Sequence, residues 1–126
     1  MVDLLERLYA ATEGSRELSD EVLLALGWRR KEGPYSQPAM WWKPPFEPST
    51  WRERRPNCTE SVDDALSLVP EGWHWTAGNS RTWSGDVQSR ASIFRPDIHG
   101  YIRADAPTPA LALCIALIKA HEAKES

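Results

Sequence analysis

Histidine and cysteine are scarce in this chain of 126 residues, at three and two respectively, and the scarcity argues against most metal chemistry. His74, His99 and His121 are scattered and lack the companion cysteines or paired carboxylates that a zinc site needs. No serine lies in a nucleophile-elbow pattern, neither cysteine has an activating sequence context, and Gly78, Gly85 and Gly100 lack the spacing of a phosphate loop. Charges interrupt every short apolar run of the opening MVDLLERLYAATEG, so neither a signal peptide nor a membrane span is expected there. The protein reads as cytoplasmic and non-enzymatic, with no cofactor and no metal. Cys58, in a polar loop, and Cys114, in an apolar helical run, read as free thiols of a reducing compartment.

Positive charge is also in short supply. A net charge of -3 argues against wrapping duplex nucleic acid, which calls for a broad positive surface, and leaves room only for a local basic patch. The length is that of a single domain, residues 1–126, able to bury one good core. No internal repeat or low-complexity segment interrupts it.

Tryptophan is what the chain has in excess. Seven of them are several times the ordinary share and need a reason. Three fall in the stretch AMWWKPPFEPSTWRERRP, residues 39–56, with one phenylalanine and three arginines set among prolines.

The periodicity predicts a first helix over residues 2–12, stopped by Glu13-Gly14-Ser15, and a second one capped by Ser19 and closed at Gly27. A short strand then begins near Trp28, and residues 39–43 form another, in which alternation sends Trp41 and Trp42 to opposite faces. Pro44, Pro45, Pro48 and Pro56 exclude regular pairing and mark a long surface loop. Thr59 or Ser61 caps a helix over residues 62–68. Residues 73–75 read as a strand, Ala77-Gly78-Asn79-Ser80 as a turn and residues 81–83 as the returning strand, with a further turn at Ser84-Gly85-Asp86. Strands over residues 89–95 and 101–104 follow, separated by a turn over residues 96–100. Thr108 and Pro109 then open a final helix, apolar nearly all round over residues 110–118 and therefore buried on more than one side, before a polar tail from residue 120. The order of elements predicts an α+β fold, a three-layer α/β/α sandwich with a largely antiparallel sheet.

Four sets of residues resemble a known family: Leu26-Gly27-Trp28-Arg29-Arg30, Trp41-Trp42-x-Pro44-Pro45, the block from Asp64-Ala65-Leu66 through Pro70-Glu71-Gly72-Trp73-x-Trp75, and Ala106-x-Thr108-Pro109-Ala110-Leu111-Ala112-Leu113-Cys114. Together they are similar to the small phage and prophage proteins of the phage ABA sandwich domain family. The resemblance spans nearly the whole chain and implies a helix/sheet/helix sandwich and a phage or prophage origin, hence a host-cell cytoplasm. It carries over no catalytic residue. The loop over residues 46–55 departs from the family pattern.

Binding is the function class that the residues favour. Aromatic rings beside guanidinium groups can stack a base and hold a phosphate together. The ligand-binding candidates are Trp42, Trp51, Arg52, Arg54, Arg55, Arg81, Trp83 and Arg103. If they converge, the ligand is a small anionic nucleotide, and the protein is an anti-defence sponge for a cyclic or ADP-ribose-type signal, its pocket formed between protomers of a homo-oligomer. The alternative makes Trp51 and its arginines an anchor for a host protein; a second alternative is a weak hydrolase. Against binding stands simple packing, with Trp28, Trp73, Trp75 and one of Trp41 and Trp42 as sheet core and the arginines solvating the rim. For Trp51 and Trp83 the sequence favours neither.

Overall fold

The computed structural model of the chain describes residues 2–33, 40–45, 51–52, 54–69, 72–81, 87–94 and 102–125. Among them are four helices and five strands, in the order α1 (Val2–Ala10), α2 (Arg16–Ala25), β1 (Arg29–Glu32), β2 (Met40–Lys43), α3 (Val62–Leu66), β3 (His74–Arg81), β4 (Val87–Phe94), β5 (Ile102–Ala106) and α4 (Pro109–Glu125). The fold is α+β, with one antiparallel sheet of order β3-β4-β5 and a separate antiparallel ribbon of β1 and β2.

Helix α4 is the axis of the core. Thr108 caps it, its Oγ1 accepting from the Leu111 N–H at 3.2 Å, and Pro109 takes the first helical position, where no donor is needed. Residues 110–118 are all buried, because the helix packs on β4 and β5 and also on α1, α2 and α3. Small residues on the sheet, Ala91, Ala104 and Ala106, let it approach closely. The helix runs on to Glu125, so the expected polar tail continues as helix.

The layering differs from the expected sandwich. Instead of helices on both faces of the sheet, the order is sheet, then α4, then the other helices. The outer face of the sheet shows exposed His74, Thr76, Gly78, Arg103 and Asp105, and no described helix covers it. His74, on the edge strand β3, stacks on Phe94 with ring centres 5.3 Å apart.

Residues 77–80 do not turn. They continue β3 as far as Arg81, each paired in register with β4 from Ala77↔Ala91 to Ser80↔Gln88, and the turn expected at residues 84–86 lies outside the described residues. Gly78 sits there without a positive φ. Trp75 is likewise not core: it shares the inner sheet face with Ile93, yet α4 lies over β4 and β5 and barely reaches β3, so Trp75 stays 46% exposed. Trp73 is half-buried against the main core.

Helix α2 starts a turn earlier than its sequence suggests. Ser15 is the cap, its hydroxyl accepting from the Leu18 N–H at 3.1 Å. Ser19 lies inside the helix, fully buried, and meets the chain near Thr59. Gly27 ends this segment with φ +102°, the left-handed conformation a glycine adopts cheaply after a helix.

Candidate functional site

The ribbon begins just past α2 because Gly27 reverses the chain and leaves Trp28 packed under it. Leu23, Trp28 and Trp42 form a second, smaller core, with Leu24, Leu26 and Leu68 against it. Alternation along β2 decides the roles of its two tryptophans: Trp42 is fully buried and Trp41 half-buried. Burying an indole contributes about 4 kcal/mol by area, which anchors the ribbon to α2.

The proline-rich loop returns to this ribbon. Trp42 and Arg52 exchange both backbone hydrogen bonds, at 2.7 and 2.8 Å, so residues 51–52 lie along β2 as a third line of chain despite the prolines. A bridge of this kind puts Arg52 on the face of Trp42 and Trp51 on the opposite one. Arg30 and Arg55 hold their guanidinium carbons 5.7 and 5.1 Å from the centre of the Trp42 ring. Trp42 is thus a buried platform for two arginines, with no face free for a ligand; this corrects its expected place as a stacking residue.

Residues 55–59 are fastened to α2 by a polar network. Arg55 donates to both oxygens of Asp20, at 2.7 and 3.2 Å, and its carbonyl accepts from Arg16 at 3.1 Å. The Ser19 hydroxyl donates to Asn57 Oδ1 at 2.7 Å and accepts from the Thr59 N–H at 3.0 Å. Thr59 in turn accepts from the Ser15 N–H at 3.0 Å and donates to the Ser15 carbonyl at 2.8 Å. Asp64 of α3 closes the network by accepting from the Asn57 N–H at 2.8 Å. Ser19 and Thr59 are buried and paired, so this network rigidifies the loop.

The fastening brings Arg52, Arg54 and Arg55 round one cavity of about 490 Å³, lined also by Trp28, Pro56, Asp64 and Ser67. Arg55 is committed to Asp20 and Trp42. Arg52 and Arg54 are exposed and have no carboxylate partner among the described residues. The wall therefore offers guanidinium donors together with a carboxylate and a hydroxyl, Asp64 and Ser67. Its size is within the range of small-ligand sites.

The remaining candidates lie elsewhere. Trp51 is on the opposite face of the ribbon, half-buried, with the Lys31 ammonium 4.3 Å from its ring centre. Arg103 is exposed on β5, in the other sheet. Arg81 ends β3, and Trp83 is outside the described residues. The chain matches no family model, no curated protein and no solved structure in the comparisons made.

Sequence reasoning missed Trp28, Asp64 and Ser67 as cavity residues and Asp20 as the partner of Arg55. No pattern within the sequence pointed to them, since acids such as Asp20 and Asp64 equally suit the first turn of a helix. Cys58, expected in an exposed loop, is fully buried, because the network above turns it inward; its carbonyl accepts from the Cys114 thiol at 3.2 Å. Contact with Cys58 and burial push the Cys114 thiol well above its ordinary range, as befits a packed group. Among the described residues, no group of three His, Cys, Asp or Glu is placed to hold a metal ion, and no helix is long and apolar enough to cross a membrane.

Proposed function

We propose that the protein acts by binding, without catalysis, and that the arginine-lined cavity takes a small phosphorylated ligand of the nucleotide class. The observation that carries this reading is the pair of guanidinium groups, Arg52 and Arg54, that have no carboxylate partner among the described residues and line a cavity whose third arginine is locked in place by Asp20. Planar guanidinium forks bind phosphate bidentately, and a preset third arginine lowers the ordering cost. Asp64 and Ser67 suit ligand groups that donate or accept hydrogen bonds, such as sugar hydroxyls, better than a second phosphate. The phage resemblance adds a setting for this chemistry, the sequestration of a signalling nucleotide in an infected host.

The test is thermal unfolding of the protein against linear and cyclic nucleotides, repeated with Arg54→Ala and Arg52→Ala. A ligand at 100 times its dissociation constant adds about 2.7 kcal/mol of stability. A stabilising nucleotide whose effect disappears in both variants supports the reading. Equal stabilisation of wild type and variants, or none with any nucleotide, overturns it.

A further inference from the structure

We propose that the other face of the β1–β2 ribbon, the one turned away from Trp42, binds single-stranded nucleic acid. The register assigns that face. Arg29 pairs with Lys43 and Lys31 with Trp41, so these four side chains share one side of the ribbon, while Arg30, Glu32, Met40 and Trp42 share the other. The Trp42–Arg52 bridge adds Trp51 to the first side, opposite Lys43. Lys31 confirms the grouping by reaching across β2 to lie 4.3 Å from the Trp51 ring centre.

Two indoles and three cations thus occupy one face of a twisted ribbon. Arg29 and Lys31 are exposed, Trp41, Lys43 and Trp51 half-buried. None of the three cations has a carboxylate partner among the described residues, and Glu32, the one acid of β1, points the other way. In a chain with a net charge of -3, this concentration of cations with no carboxylate partner among the described residues is local and calls for an anionic occupant.

The aromatic component decides which anion. Two ring systems interleaved with cations fit unstacked bases joined by phosphates, since any base can stack on an indole while lysine or arginine neutralises the backbone beside it. A duplex offers no free base faces to Trp41 or Trp51 and demands more positive charge than three side chains provide. An acidic polypeptide would use the cations but leave the rings without a role. This face is distinct from the arginine cavity, which lies on the Trp42 side, so the two readings stand or fall separately.

The experiment is fluorescence anisotropy with the full chain and a labelled oligothymidylate of about 12 nucleotides, starting near 50 mM salt, with unlabelled duplex and polyglutamate as competitors. Three neutralised phosphates predict a slope of about -2 for log K against log salt concentration, falling to about -1.4 in Lys31→Gln. Trp51→Ala weakens binding about tenfold. Arg54→Ala, in the cavity, leaves it unchanged. Lys31 is exposed, so Lys31→Gln is expected to fold normally and keeps the test open even if Trp51→Ala unfolds. Absence of binding at low salt overturns the proposal, as does wild-type affinity and slope in Lys31→Gln. Displacement by polyglutamate as effective as by unlabelled oligonucleotide also overturns it, and marks the face as an acidic-protein surface.

Discussion

Asp20 holds Arg55 through two hydrogen bonds, Nε to Oδ1 at 2.7 Å and Nη2 to Oδ2 at 3.2 Å. Both side chains are mostly shielded, at 17% and 23% exposure, so water replaces the pair poorly. The contact joins α2 to the loop that carries the cavity arginines and keeps the Arg55 guanidinium over Trp42. Asp20→Ala is expected to cost about 1–2 kcal/mol of stability and to weaken ligand binding in the cavity as Arg55 loses its fixed position. Urea unfolding and nucleotide titration of the same variant measure the two effects.

Gly14 passes so close to the loop that a Cβ on it would overlap the Thr59 carbonyl. Backbone cannot give way as a side-chain tip does. Gly14→Ala is therefore expected to lower stability by more than about 2 kcal/mol, although alanine is ordinarily harmless in a polar turn. Calorimetry of the variant beside wild type gives the answer, and an unchanged melting temperature would contradict the packing described.

Thr59 is 1% exposed and its hydroxyl serves Ser15 twice. Thr59→Val keeps the shape but strands the Ser15 N–H and leaves the Ser15 carbonyl with only its bond from the Ser19 N–H, at a cost of about 2 kcal/mol. Ser61→Ala, which removes only the cap hydroxyl at the start of α3, is expected to cost about 1 kcal/mol. Denaturation midpoints of the two variants rank the network above the cap.

Asp105 lies opposite Arg90 across β4 and β5 and accepts from its Nε at 2.8 Å. That hydrogen bond foremost, helped by the charges of Arg90, Arg103 and Lys119 and opposed by slight burial, holds the Asp105 carboxyl below its usual range. A folded-state value below the unfolded one means that the contribution is present above the unfolded carboxylate range, near pH 3.9, and is lost as pH falls through the folded value. Melting curves of wild type and Asp105→Asn are expected to differ at neutral pH and to converge toward pH 2. The gap is small, since both side chains are largely in water.

Cys58 and Cys114 are both fully buried. A thiol reagent is expected to react with neither quickly in the folded protein and with both on addition of denaturant. Rapid labelling of Cys58 in native buffer would show that the loop over residues 55–59 opens readily.

Much of the local structure was legible in the sequence because it depends on neighbouring residues alone. The Thr108-Pro109 start of α4, the glycine that closes α2, the Ser61 cap and the opposite fates of Trp41 and Trp42 all follow from capping chemistry and alternation. Ser15 and Ser19 are both serines suited to capping α2, and only the buried contact with Thr59 and Asn57 places Ser19 inside the helix. Ala77-Gly78-Asn79-Ser80 has the composition of a turn, but eight residues of β4 pair with β3 and hold it extended.

The sequence by itself determined an α+β chain, the start of α4, the glycine that closes α2, the burial of residues 110–118 and the concentration of tryptophan and arginine near the middle, since periodicity and composition act over a few residues. The tertiary structure alone decided which arginines meet. Asp20, Asn57 and Asp64 draw residues 54–59 onto α2 and α3, and the Trp42–Arg52 bridge splits the tryptophan-arginine stretch between two faces of one ribbon. It also decided that Trp75 stays exposed, because the reach of α4 across the sheet depends on how the two pack, and no pattern within β3 encodes that.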